Sequence, residues 1–179
     1  TNFRYLNRRW EENCAEERLL GVSLTGIMDN MITSNRRLNP GLPEVLKSLK
    51  QVAVDTNAQW SKKLGIPQSV AITCVKPSGT VSQLVDSASG IHARHAPYYI
   101  RTVRADKKDP LAKMMHDHGF PCEDDVTKPD HTWVFSFPVK GPKNGIYRKD
   151  MTAVEQLELW KIYQENWCEH KPPITVSVK

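Results

Sequence analysis

Two hydroxyl residues flank a glycine at Ser78-Gly79-Thr80, directly after Pro77. That triplet suits an anion. A glycine lets a phosphate approach the backbone with no Cβ in the way. The two hydroxyls can donate hydrogen bonds. If a helix starts here, its first N–H groups lack partners inside the helix, and its dipole adds partial positive charge. The loop is neither a Walker sequence nor a dinucleotide fingerprint, because it has one glycine and no following Gly-Lys-Ser/Thr. The same spacing also suits an ordinary β-turn whose serine caps a helix.

The flanking residues set this loop between a strand and a helix. Ser69 to Val75 is short, apolar and β-branched, which predicts a buried strand that Pro77 stops. Before it, residues 4–19 carry Leu6, Trp10 and Cys14 on one helical face, with Gly21 as the stop. Val22 to Met28, small and apolar with Gly26 inside, is either a short strand followed by a turn, the reading preferred here, or a tightly packed helix start. Asn39-Pro40-Gly41-Leu42-Pro43 is a turn. Leu46, Leu49, Val52, Trp60 and Leu64 recur at helical spacing, so a long helix is expected over 43–64, ended by Gly65 and Pro67. Helix, strand, loop and helix in this order make an α/β unit, in which ligands sit at the carboxyl ends of strands.

After the loop, the pattern predicts a helix over 81–88, irregular chain over 90–97 and a strand over 98–103. Asp109-Pro110 opens a helix with Leu111, Met114 and Met115 on its apolar side, capped by Gly119. Residues 124–130 are a polar connection, 132–139 a strand and 140–149 a loop. Thr152 and Glu155 form a capping box for a helix running to about His170. Leu157, Trp160, Ile162, Tyr163 and Trp167 mark that helix as heavily buried. A final strand is expected from Ile174. The whole of 1–179 is read as a single α/β unit that looks truncated at both ends.

The chain has 179 residues and a formal charge of +5. Such a charge suits an anionic ligand or a polyanion alike, but the basic residues are dispersed, which disfavours a nucleic-acid arm. No run of about 18 apolar residues predicts a membrane span, and no signal peptide is recognised. The four cysteines, Cys14, Cys74, Cys122 and Cys168, have no CxxC spacing and are expected to be reduced thiols. His92, His95, His116, His118, Cys122 and His131 match no tight zinc motif, so no metal is expected. His92 and Arg94 follow the loop closely enough to be candidates for touching its ligand.

Three blocks carry a resemblance: Lys76-Pro77-Ser78-Gly79-Thr80-Val81-Ser82-Gln83, Ser89-Gly90-Ile91-His92, and Tyr98-Tyr99-Ile100-Arg101-Thr102-Val103-Arg104. Arg18 to Asp29, Asn166 to His170 and Thr175-Val176 agree with them in order. Together they resemble the adenosylcobalamin-dependent (class II) ribonucleotide reductases, and within those the ribonucleoside-triphosphate reductases. The resemblance implies part of the second half of a ten-stranded α/β barrel. It implies that Ser78, Gly79, Thr80 and Val81 hold the substrate phosphates, with Pro77 shaping the loop.

It further implies a cytoplasmic enzyme making deoxyribonucleotides for DNA synthesis. Its cofactor would be adenosylcobalamin, and its partners a ribonucleoside triphosphate, the rest of the reductase chain and a thioredoxin-like or dithiol reductant. In that family the thiyl cysteine sits as Asn-x-Cys-x-Glu, which is absent here, so no catalytic residue is expected in this chain and the fragment alone is expected to be inactive. Tyr98-Tyr99 is read as strand packing rather than a radical relay. Two alternatives stay open: a class I large subunit, against which Gly79 counts because that family has a glutamate there, and a non-catalytic phosphate-binding module or half of a split enzyme.

Overall fold

The computed structural model describes residues 2–34, 40–176 and 178. In chain order its elements are α1 (Arg8–Glu17), β1 (Val22–Ser23), α2 (Leu42–Leu64), β2 (Thr73–Cys74), α3 (Val81–Leu84), β3 (Tyr98–Asp106), α4 (Pro110–Asp117), β4 (Cys122–Asp124), β5 (Thr132–Lys140) and α5 (Ala153–Asn166). The chain forms two compact units, Thr1–Arg94 with Asn144–Lys179, and His95–Lys143.

In the first unit, α1 is shorter than the helix expected over 4–19. The Asn7 side chain caps its start by accepting the Arg9 N–H. It ends at Arg18, whose φ is 47° and whose N–H bonds to the Cys14 carbonyl, so Gly21 is not the stop. No residue of α1 is buried, and Trp10 on its apolar face is 59% exposed. β1 and the turn after it match the reading of 22–28. Gly26 turns with φ 69° into a single 3-10 turn at Ile27–Asp29.

The long helix falls where its periodicity put it. Pro43 sits in the first turn of α2, Glu44 favours its amino end, and Lys62 and Lys63 favour its carboxyl end. Gly65 closes it with φ 65°. Only part of the apolar stripe is covered: Leu42 and Leu46 are buried, while Val52, Trp60 and Leu64 are more than half exposed. Asn39 of the expected turn lies outside the described residues.

β2 pairs parallel with β1, Val22 opposite Thr73. This ladder is much shorter than the strand expected over 69–75. The other side of β2 is closed by the residues after α5, so its backbone groups do not stay open. The Glu169 carboxylate accepts the N–H groups of Ile72 and Thr73, and the Glu169 N–H returns to the Thr73 carbonyl at 3.0 Å. The Trp167 indole N–H donates to the Cys74 carbonyl at 2.7 Å, and the Thr73 hydroxyl donates to the Trp167 carbonyl.

α5 has the expected capping box, with Thr152 and Glu155 bonded reciprocally. It stops at Asn166 rather than near His170, because the chain there turns to close β2. Leu159, Tyr163 and Asn166 are its buried residues, and Leu157 is 46% exposed. Tyr163 and Trp167 join Ile27, Met28, Leu46 and Val75 in one core, each worth about 1.5–3 kcal/mol of apolar burial. The strand expected from Ile174 is absent: residues 174–176 have no regular structure. That segment is instead held by side chains, the Trp160 indole donating to the Pro172 carbonyl and the Gln156 amide to the Thr175 carbonyl.

The second unit is a three-stranded antiparallel sheet in the order β3-β5-β4 with α4. Tyr98 faces Lys140 and Asp106 faces Thr132 across the long pair. Tyr98 and Tyr99 lie at successive positions of this strand, with Tyr98 70% exposed rather than packed away. β4 was not foreseen; its three residues are polar or small, and pairing with Trp133, Val134 and Phe135 makes them a strand. Pro138 lies beyond the reach of β4, so β5 has one neighbour there and tolerates the missing N–H. Asp109 caps α4 through the N–H groups of Leu111 and Ala112. Its buried residue is Ala112, whereas Leu111 and Met114 are about half exposed.

Candidate functional site

The loop after β2 is built from tight local bonds. The Lys76 N–H donates to the Ser23 hydroxyl at 2.9 Å, which ties the loop to the end of β1. The Ser78 N–H returns to the Lys76 carbonyl and the Gly79 N–H to the Pro77 carbonyl, both at 2.9 Å. These i to i+2 bonds are γ-turn-like and keep the loop narrow. The Ser82 N–H then bonds to the Ser78 carbonyl and starts α3.

Thr80 is the residue before α3, with φ −100° and ψ −50°, and its hydroxyl makes no capping bond. Among the described residues the N–H groups of Thr80 and Val81 have no acceptor. Pro77, Gly79, Thr80 and Val81 are exposed and Ser78 is half-buried. A Cβ added to Gly79 would meet only the Ser89 hydroxyl, at 4.0 Å. The outer face of the loop is therefore open. α3 has four residues, too few to supply much of a helix dipole, so what the loop offers an anion is N–H and O–H donors rather than a macrodipole. Ser78 does not cap the helix as a turn serine would.

Behind the loop lies a second layer. The Ser78 hydroxyl sits 2.8 Å from the Thr25 hydroxyl and accepts the Gly90 N–H at 3.1 Å. Thr25 also donates to the Ala88 carbonyl at 3.0 Å. Gly26 donates its N–H to the same carbonyl at 2.8 Å. Asp29 accepts the Ala88 N–H and pairs with Arg94 through both carboxylate oxygens, at 2.9 and 3.0 Å. Arg94 also reaches the carboxylate and carbonyl of Asp86, a residue at φ 45°. Residues 25–29 thus form a template for residues 78–94.

The two candidates near the loop are occupied. The His92 ring bonds the Ser89 carbonyl through Nδ1 and accepts the Thr175 N–H through Nε2. The Arg94 side chain is 3% exposed and held by Asp29 and Asp86. Neither presents itself to a ligand. In the second unit, His116 stacks on Trp133 at 4.2 Å and His118 bonds the Met114 carbonyl. No group of three His, Cys, Asp or Glu among the described residues is arranged to hold a metal ion.

Two of the cysteines, Cys74 and Cys168, are buried. Burial pushes the Cys168 thiol up to about 11, with the neighbouring Cys74 adding to the rise. Burial likewise pushes Tyr163 well above the ordinary phenol range. Such groups stay protonated and inert at neutral pH. The residues the sequence did not single out, Thr25, Asp29 and Gly90, sit inside the resembling blocks. Thr25 meets Ser78 across 53 residues and Gly90 across 65, and Asp29 meets Arg94 across 65, and no local spacing signals them.

No family model matches this chain. Curated relatives are similar along nearly its whole length. "Adenosylcobalamin-dependent ribonucleoside-triphosphate reductase" of Euglena gracilis is 31% identical over 95% of this chain and 23% of its own length. The protein of the same name from Lactobacillus gasseri is 28% identical over 90% of this chain and 25% of its own. A crystal structure of a B12-dependent class II ribonucleotide reductase superposes with a TM-score of 0.74 at 24% identity, covering 93% of this chain and 27% of that one. The chain has the fold of that segment, an α/β architecture. It spans about a quarter of the length of the curated relatives it matches.

Proposed function

We propose that this chain, whose curated homologues are adenosylcobalamin-dependent ribonucleoside-triphosphate reductases, supplies the substrate-phosphate loop of such a reductase. Pro77, Ser78, Gly79, Thr80 and Val81 form that loop. The observation that carries the reading is its open face: an unobstructed Gly79, the unpartnered N–H groups of Thr80 and Val81, and the hydroxyl of Ser78, all at the carboxyl end of β2. Such a face suits the oxygens of a ribonucleoside triphosphate. Each charge-assisted bond contributes on the order of 1.5–3 kcal/mol.

The contribution of this segment to the chemistry is positioning. Holding the phosphates fixes the ribose against the radical cysteine, which is supplied by other parts of the reductase. None of Cys14, Cys74, Cys122 and Cys168 takes that role. Adenosylcobalamin supplies the radical when bound. The cradle's hydroxyls and amides suit an anion and not a corrin ring, so no cobalamin contact is placed on this loop. A dithiol or thioredoxin-like reductant and a cytoplasmic setting go with the reading. No helix among the described residues is long and apolar enough to cross a membrane.

The test is Gly79→Val in the complete reductase that carries this segment. A valine Cβ has room in the chain but fills the face where phosphate would sit. The expected outcome is a nucleotide affinity at least tenfold weaker with an unchanged melting temperature. Unchanged affinity for CTP would remove the phosphate-loop assignment.

A further inference from the structure

We infer that Thr25 is a positioning residue that aims the hydroxyl proton of Ser78 at the substrate phosphate. The inference rests on the phosphate-loop reading above. It follows from counting protons and lone pairs around two hydroxyls brought together across 53 residues.

A hydroxyl oxygen accepts two hydrogen bonds and donates one. One acceptor position of Ser78 Oγ is filled by the Gly90 N–H at 3.1 Å. The neighbour on its other side is Thr25 Oγ1 at 2.8 Å. The Thr25 proton has two acceptors within reach, Ser78 Oγ and the Ala88 carbonyl at 3.0 Å. If it points at Ala88, Ser78 gives its own proton inward to Thr25. If it points at Ser78, Ser78 Oγ receives two donors, and its own proton is directed out of the chain, towards the exposed face of Gly79 and Thr80. Only the second arrangement offers a donor to an anion.

The switch between them leaves no group unsatisfied. The Ala88 carbonyl keeps the Gly26 N–H at 2.8 Å when the Thr25 proton leaves it. The Gly90 N–H stays on the pair in both arrangements, since it lies 3.1 Å from Ser78 Oγ and 3.3 Å from Thr25 Oγ1. A phosphate oxygen in the loop selects the outward arrangement, and the chain Thr25 to Ser78 to phosphate is then polarised in one direction. Removing the Thr25 hydroxyl leaves Ser78 one donor short and its rotamer held by Gly90 alone.

The experiment uses the complete reductase that carries this segment, with CTP as the probe. Thr25→Val removes the hydroxyl and keeps the shape; Thr25→Ser keeps the hydroxyl; Ser78→Ala and Gly79→Val are the controls on the loop itself. The expected result is a KM and a dissociation constant for CTP raised about tenfold in Thr25→Val, with kcat within about twofold and the melting temperature unchanged. Thr25→Ser is expected to restore the parent value to within about threefold. Loss of kcat or melting temperature at unchanged KM in Thr25→Val means a structural role only and overturns the inference. So does a weaker Ser78→Ala alongside an unaffected Thr25→Val, which leaves the phosphate loop standing. If neither Ser78→Ala nor Gly79→Val weakens CTP binding, or the complete protein does not bind CTP, the phosphate-loop reading itself falls and takes this inference with it.

Discussion

Gly90 lies so close to Lys76 that a Cβ added to it would stand 2.7 Å from the Lys76 carbonyl oxygen. It also holds φ at 48°, a conformation side chains rarely adopt. A Cβ on Gly79, in the loop itself, would meet only the Ser89 hydroxyl at 4.0 Å. The two glycines therefore differ: Gly90 lets two backbone segments touch, whereas a side chain at Gly79 would meet no backbone within 4 Å. Gly90→Ala is expected to lower stability by about 2–4 kcal/mol from clash and strain, and Gly79→Ala by less than about 1 kcal/mol. Urea denaturation of both variants checks this. Equal stability would show that the approach of Gly90 to Lys76 is not fixed.

Arg94 is the buried cation that ties Asp29 to Asp86. Its side chain is 3% exposed, and that of Asp29 is 16% exposed. Arg94→Met leaves the Asp29 carboxylate without its charged partner, at a cost of about 3–5 kcal/mol. Arg94→Lys is expected to recover only part of this, since a lysine cannot span both carboxylate oxygens. The Asp86 side chain is 78% exposed, so Asp86→Asn is expected to cost less than about 1 kcal/mol. Thermal melts of the three variants, compared in that order, test the ranking.

Glu169 gives the fold a dependence on acid. Partial burial works to raise its pKa, but the N–H groups of Ile72 and Thr73, with Lys50 and the Thr73 hydroxyl, together hold it below the ordinary glutamate value. A carboxyl with a lowered folded pKa stabilises the fold above its unfolded value, near 4.3, and loses that stabilisation as the pH falls through the folded value. Glu169→Gln is expected to be less stable than the parent at neutral pH by about 1 kcal/mol after allowance for solvent screening. The gap should narrow as the pH falls below the unfolded value and through the lowered folded one. Denaturant midpoints at pH 7 and pH 3.5 decide it; a constant gap would mean that the charge of Glu169 is not what holds β2.

The thiols should separate by burial. Cys14 is exposed, Cys122 is half-buried, and Cys74 and Cys168 are buried, with the Cys168 thiol pushed up to about 11. Alkylation with iodoacetamide at pH 8, followed by peptide mass mapping, is expected to mark Cys14 first and Cys122 next. Cys74 and Cys168 should react only after unfolding. Rapid modification of Cys168 in the folded protein would contradict its packing against β2.

The sequence by itself determined the elements whose signals are local. Periodicity and end residues placed α2 to within a residue, and Thr152 with Glu155 set the start of α5 through a bond between neighbours in the chain. The residue types of Ser78, Gly79 and Thr80 marked a loop suited either to an anion or to a plain β-turn, and only the resemblance extended that reading to Pro77 and Val81. Tertiary structure decided what depends on distant partners. Arg18 ends α1, β4 becomes a strand only by pairing with β5, and residues 95–143 make a compact unit where a single one was read over 1–179. The strand expected at Ile174 has no pairing neighbour among the described residues, and its backbone is held by side chains of α5 instead. Above all, the hydroxyl of Ser78 takes its meaning from Thr25 and Gly90. A hydrogen bond between residues 53 apart leaves no trace in spacing, because it depends on the path of the whole chain between them.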